Sequence, residues 1–253
     1  MNKDLLKRIV NEDKPKIASA NVYDNLYREI IELKLKPGSI ISIKDMCEHF
    51  ETGRSPMRDA LIKLEQEGLI TTLPQRGIMI SKIDLSRVEE ERFMRVCVEE
   101  RVMDQFIKKH TSEDIAQLEK YLAMQMEANK EKDYRQFIVM DDKYHTVFYE
   151  ATNKHYCAKT IQQVSGHYKR FRLLSVIDAI IVEDVIEQHR QIIEAIKEND
   201  AEKMRKVMKI HFSKILEEEI AMCKKYPYLF TEGDQPENEP KVWSEDFLEI
   251  LCK

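Results

Sequence analysis

The sequence predicts a mainly α chain in two parts: a small N-terminal unit of three helices and a hairpin, then an all-α bundle of six or seven helices. Three observations lead there. Four of the six glycines (Gly38, Gly53, Gly68, Gly77) lie between residues 22 and 83 and punctuate that stretch into short elements. No proline occurs between Pro74 and Pro227, and Gly166 is the only glycine there, so long helices can run and few turns can bound strands. Charge changes at the same place, with 14 basic and 12 acidic residues over 1–83 against 27 and 34 in the remainder. The overall charge of −5 therefore leaves room for a local basic face, which is what nucleic-acid binding requires.

The elements of the first part follow from spacing and punctuation. Val22, Leu26, Ile30 and Leu33 recur at helical intervals in "NVYDNLYREIIELKL", and Pro37-Gly38 stops that helix. "SIISIKDMCEHF" starts extended. Ser42 with Asp45 three residues on then makes a capping-box-like start to a short second helix, with Ile43, Met46, Cys47 and Phe50 as its apolar stripe. Thr52 or Gly53 caps a third helix. Pro56 sits in its first turn, where a missing N–H costs nothing, and Leu61, Leu64, Leu69 and Ile70 face inward with Gly68 as the stop. "LITTLP" and "GIMISKI" flank the "PQR" turn as a two-stranded hairpin.

Three short helices and a hairpin, with a tight Gly-containing turn between the second and third helices, describe a winged helix-turn-helix. Residues in the first turn of its recognition helix project into the DNA major groove. Arg54 and Arg58, at i and i+4, can there meet base edges or phosphates, while Ser55 bonds a phosphate oxygen. Arg76 and Gly77 form the wing tip, where glycine allows close backbone approach.

These residues carry a resemblance. "GSIISIKDMCEHFETGRSPMRDALIKLEQEGLITTLPQRGIMIS" is similar to the N-terminal domain of the GntR family of bacterial transcription regulators, whose small–Arg–Ser/Thr–Pro–apolar–Arg–acidic–Ala–Leu pattern maps onto Gly53 to Leu61. Its glycine-tipped wing maps onto Arg76 and Gly77. Two positions depart from the family pattern: Gly53 stands where a hydroxyl residue is usual, and Lys44 where an arginine is common. Gly53 lacks a phosphate-bonding hydroxyl and Lys44 lacks bidentate capacity, which bears on operator sequence and not on DNA binding itself.

In the second part, apolar residues recur every three or four positions. Helix starts are marked at Thr111-Ser112 and at Asn199 with Glu202 three residues on. Asp141 and His145 share a helix face at i and i+4 beside Phe137, Ile138 and Phe148, and point toward the core. His189 interrupts the stripe Val182, Val185, Ile186, Ile192, Ile193, Ile196, and His211 the stripe Met204, Val207, Met208, Ile215. The turn between their helices falls near Asp200, about 16 Å along the helix axis from each histidine, so an antiparallel pair brings both to one level. Three imidazoles and a carboxylate suit zinc, nickel, manganese or iron with coordination positions left open. His49, His110, His155 and His167 join no such constellation and read as surface or hinge residues.

The same segments resemble the FCD ligand-sensing domain of the FadR-type branch, matching its metal-binding variant at Asp141, His145, His189 and His211. The resemblance implies a homodimer, operator DNA as partner, a divalent metal, and a small carboxylate effector such as an organic or sugar acid. Arg95 and Arg172 are the candidates to hold the effector's charge, since guanidinium binds carboxylate bidentately. Two rival readings use the same residues: a repressor for which the ion itself is the signal, and a metal-dependent bundle enzyme with Glu183 or Glu187 as base. The recognition helix and wing argue against the enzyme.

The expected organisation is thus an N-terminal extension (1–21), a DNA-binding domain (22–83), an effector domain (84–230) and an acidic C-terminal tail (231–253) carrying Trp243, Phe247, Leu248 and Leu251 at helical spacing. No run approaches the ~18 uncharged apolar residues of a membrane span, the N-terminus has no signal-peptide pattern, and the five cysteines are scattered with no C-x-x-C pair. These features point to the cytoplasm with reduced thiols.

Overall fold

A computed structural model of the chain describes residues 19–231, apart from 178–180 and 218. The N-terminal residues to 18 and the acidic tail from 232, with its Trp243 to Leu251 stripe, lie outside the described residues.

The N-terminal unit is α1 (Ser19–Ile31), β1 (Ile40–Ile41), α2 (Ile43–His49), α3 (Arg54–Gln66), β2 (Ile70–Leu73) and β3 (Gly77–Ile80). Ser42 caps α2 by accepting the Asp45 amide, and Gly53 begins α3 with no side-chain cap. Val22, Leu26, Met46, Met57, Leu64 and Ile80 are fully buried in one core. The expected hairpin is a three-stranded antiparallel sheet in the order β1-β3-β2, because Ile40 and Ile41 pair with Met79 and Ile78. Two residues are too few to show alternation, which is why the sequence reads as merely extended there. Pairing of β1 against the wing explains Gly77: at φ 121° a Cβ would lie 2.6 Å from the Ile41 carbonyl oxygen.

The first helix ends at Ile31, short of Leu33, the last residue of its expected stripe, and of the Pro37-Gly38 stop. Leu33 takes a left-handed conformation (φ 53°) and its side chain enters the core of the second part rather than of the first.

That second part comprises α4 (Leu85–Phe106), α5 (Ser112–Glu131), α6 (Tyr134–Ala151), α7 (His155–Val164), α8 (Gly166–Ile177), α9 (Val182–Lys197), α10 (Ala201–Glu217) and α11 (Glu219–Lys225), then a 3₁₀ turn at Pro227–Leu229. Eight helical segments thus occur among the described residues. Ser165 leaves helical geometry and separates α7 from α8. A capping box at Thr111–Asp114 opens α5 as expected. At α10 the capping side chain is Asp200, which accepts the Glu202 and Lys203 amides, rather than Asn199. No described helix is long and apolar enough to cross a membrane.

The two parts meet along α8. Gly166 packs so closely on Leu69 that a Cβ would fall 2.6 Å from its Cδ2. His167 donates from Nε2 to the Gly68 carbonyl (3.2 Å), while its Nδ1 accepts the Asp84 amide (3.0 Å) and an Arg170 N–H (3.2 Å). Burial and the Arg170 guanidinium bring the imidazole down to about 3, so it is neutral. Fully buried Arg170 also donates to the Ser81 carbonyl at 2.6 Å. Ile83 is tied to the chain after the bundle, its amide to the Leu229 carbonyl at 2.8 Å and its carbonyl to the Thr231 amide at 3.1 Å.

Gly77→Ala tests the wing. Holding a side chain in that conformation costs about 1–3 kcal/mol and the close approach to Ile41 adds to it, so urea denaturation is expected to show a loss of at least that size. A variant as stable as wild type would mean the wing is not locked by β1.

Candidate metal and effector site

Asp141 and His145 on α6, His189 on α9 and His211 on α10 are all at least 91% buried, and one ligand atom from each lies within 4.8 Å of all the others. The geometry assigns each proton. His145 Nδ1 donates to the Glu99 carboxylate, His189 Nδ1 to Gln125 Oε1 (2.8 Å) and His211 Nδ1 to Gln188 Oε1 (3.0 Å). Since carboxylate and amide oxygens only accept, all three imidazoles carry hydrogen on Nδ1 and turn a bare Nε2 lone pair inward. His145 and His211 present these lone pairs to each other at 3.2 Å, and among the described residues His189 Nε2 has no hydrogen-bond partner. Asp141 adds negative oxygens 3.7 Å from His189 Nε2 and from His145 Nε2. Lone pairs and a carboxylate converging in a buried space repel one another unless a cation stands among them, so the donor set fits a divalent metal.

Burial keeps the imidazoles neutral. His145 is brought down to about 3, by desolvation first and by Arg95 next; His189 is pushed well below the usual histidine range by desolvation and then by His145, and His211 by desolvation and then by His189. Neutral imidazole is the form that ligates. Tyr144 stacks on His189, with ring centroids 4.1 Å apart, and donates to its carbonyl at 3.0 Å, which fixes that ring.

Arg95 and Arg172 both line a small, partly open cavity beside His145. Neither is free. Arg95 donates from Nε to Glu99 at 2.9 Å, and Arg172 holds Asp141 through one nitrogen and Asp142 through another at 2.6 Å. Burial alone would raise the Asp142 carboxyl, but Arg172, with Lys169 and Arg95, brings it down to about 2. Glu99 therefore anchors both His145 and Arg95. Sequence reasoning missed Glu99, Gln125 and Gln188. One signal was available, since Glu91, Arg95 and Glu99 recur every four residues on the α4 face that also buries Val88 and Val102.

The residues expected at the DNA contrast with this buried cluster in exposure. Arg54, Ser55 and Arg58 open α3, Arg76 precedes β3, and Lys44 lies on α2; all five are exposed. Among the described residues the guanidinium groups of Arg54, Arg58 and Arg76 make no hydrogen bond or ion pair, and Lys44 reaches only Glu48 at 3.7 Å. His155 is exposed and His110 bonds carbonyls of its own helix end, whereas His167 is not a surface residue but part of the seam. Glu183 and Glu187 are exposed, away from the buried cluster.

Two family models account for most of the chain: "Bacterial regulatory proteins, gntR family" over residues 18–80 and the FCD domain over 92–214. The chain belongs to the GntR family. It is 29% identical over 196 residues to the transcriptional repressor RspR of Escherichia coli K12, an alignment covering 78% of this chain and 86% of that one. It is 25% identical to the gluconate operon transcriptional repressor of Bacillus licheniformis, covering 75% and 80% respectively. Among solved structures, McbR/YncC of E. coli superposes with a TM-score of 0.67 at 20% identity, over 83% of this chain and 98% of that one. A GntR regulator from Rhodococcus sp. RHA1 gives 0.66 at 17% identity, over 79% and 97%. This GntR protein is accordingly a transcription regulator with an FCD domain, and not an enzyme.

Arg95→Met leaves Glu99 buried beside His145 without its cation. Removing one partner of a buried pair costs about 3–5 kcal/mol, and chemical denaturation of the metal-free protein is expected to show it. A loss under about 1 kcal/mol would show the pair to be solvated and unimportant.

Proposed function

We propose that this GntR regulator is a cytoplasmic repressor that binds operator DNA as a homodimer and releases it in response to a small carboxylate sensed beside a divalent metal. Residues 22–83 serve as the DNA-binding domain and 84–230 as the effector domain. The observation that carries the sensing half is the convergence of three unprotonated Nε2 atoms and a carboxylate, each imidazole anchored from behind. Asp141, His145, His189 and His211 would hold the ion, with zinc, nickel, manganese and iron all compatible with that donor set. Bound there, it supplies a Lewis-acidic position for a carboxylate oxygen. The gluconate-operon relative supports an organic or sugar acid, rather than the ion alone, as signal, and the adjoining cavity lies where such a ligand would meet the ion.

The chain's own residues do the rest. Glu99, Gln125 and Gln188 orient the three imidazoles, and Arg172 holds Asp141 and Asp142 in place. Exposed Arg54 and Arg58, with Ser55 between them and Gly53 and Lys44 nearby, face the major groove, and Arg76 with Gly77 reaches the flanking backbone. Two recognition helices related by a two-fold axis match a palindromic operator, which supports the dimer.

Zinc retained after dialysis, measured by elemental analysis, is expected at one per chain in wild type and to fall severalfold in His189→Ala and His211→Ala. At a hundredfold excess over Kd zinc is expected to stabilise the wild type by about 2.7 kcal/mol. Both variants holding zinc as tightly as wild type would sink the site. Zinc that by itself abolishes operator binding would favour the ion as signal.

On DNA, Arg58→Ala is expected to weaken operator binding by about 1–3 kcal/mol and Arg76→Ala to reduce its salt dependence. Unchanged affinity in both, with circular dichroism intact, would remove these residues from the interface.

A further inference from the structure

The two arginines beside the cavity are already neutralised by carboxylates of the site itself, so the charge of an entering anion must be met elsewhere. Lys169, on α8, also lines the cavity. Its ammonium has no carboxylate within 4.0 Å among the described residues. It rests on two neutral oxygens, the Gln162 carbonyl at 3.1 Å and the Tyr27 hydroxyl at 3.4 Å, with the Tyr27 ring centroid 5.7 Å away. An anion gains an ion pair with Lys169 at the loss of weak neutral contacts, whereas at Arg95 or Arg172 it must displace Glu99 or Asp142.

Tyr27 belongs to α1, on the DNA-binding side of the seam. Its hydroxyl donates to the Gln162 carbonyl at 3.1 Å, and its ring stacks with Tyr23 at 5.8 Å between centroids. Tyr23 in turn donates to Glu67, the residue that closes recognition helix α3, at 2.7 Å. A cation at the cavity wall thus touches the first helix of the DNA-binding unit, and that helix grips the end of α3.

We propose that Lys169 is the residue that pairs with the anionic effector, and that its withdrawal from Tyr27 loosens α1 and so reports occupancy to the recognition helix. This rests on the acid-sensing reading above and adds both the charge partner and the point of transmission. Arg95 and Arg172 keep the cavity's shape and hold Glu99 and Asp141.

The test uses full-length zinc-loaded wild type, Lys169→Met, Lys169→Arg and Tyr27→Phe, with lactate, malonate, citrate, gluconate and glucarate as probes. In calorimetry at least one acid is expected to bind wild type. Its affinity should drop about tenfold or more in Lys169→Met, recover most of the way in Lys169→Arg, and stay within about twofold in Tyr27→Phe. Hydrogen exchange of α1 should speed up when that acid is added to wild type and be already fast in Tyr27→Phe without it. Equal affinity in wild type and Lys169→Met overturns the charge-partner assignment while leaving the acid sensor standing. Weakened binding with α1 exchange unmoved in wild type overturns the transmission step. Failure of every acid to bind wild type overturns this inference and the acid-sensing reading together.

Discussion

The bundle is organised around an electrostatic problem, the meeting of three imidazole lone pairs and a carboxylate in a buried space. Each contributing side chain is held from outside: Glu99, Gln125 and Gln188 accept the outer N–H groups and Arg172 grips Asp141. These restraints come from α4, α5, α8 and α9, so most of the bundle is committed to the orientation of four groups. Buried polar atoms are costly unless satisfied, and here the satisfaction is directional, leaving one side of each ring deliberately bare. A core filled with leucine would be simpler to fold. This one turns three neutral lone pairs and a carboxylate toward one point, a donor set that fits a divalent cation.

The helix α8 joins that centre to the DNA-binding unit. One turn of it carries Gly166, His167 and Arg170 against the winged unit and its exit strand, and the next carries Arg172 to Asp141 and Asp142. Contacts of both kinds on one rigid element mean that a displacement at either end is felt at the other, which is the physical condition for coupled binding. The seam combines hydrogen bonds from His167 and Arg170 with the apolar packing of Gly166 on Leu69.

Much of this was legible in the chain because periodicity reports burial directly. Asp141 and His145 lie one turn apart on an apolar face, and His189 and His211 stand equidistant from a turn, so each pairing followed from helix geometry, while the joining of the two pairs into one set was implied by the family resemblance; the His189 and His211 rings stand 4.8 Å apart. The winged unit was legible through Gly68, Gly77 and the Pro56 start. What escaped were features set by partners distant in sequence. Ile40–Ile41 becomes a strand only because β3 is present to pair with it. Ser165 breaks a helix with no proline or glycine before it. Arg95 and Arg172 line the cavity, but which carboxylates they engage depends on Glu99 and Asp142, and no spacing rule states that.

Leu33 shows that the chain's sequence boundary and its packing boundary differ. It lies well before the linker, in the stretch that belongs by connectivity to the winged unit, yet it is fully buried among the residues of the bundle's core. Close by, the Glu32 carbonyl accepts Arg135 at 2.9 Å from α6. A regulator assembled by grafting the DNA-reading half of one relative onto the sensing half of another would carry a foreign side chain into this socket. Interchangeability between the halves of such proteins is therefore governed as much by the fit of one leucine as by the linker that joins them.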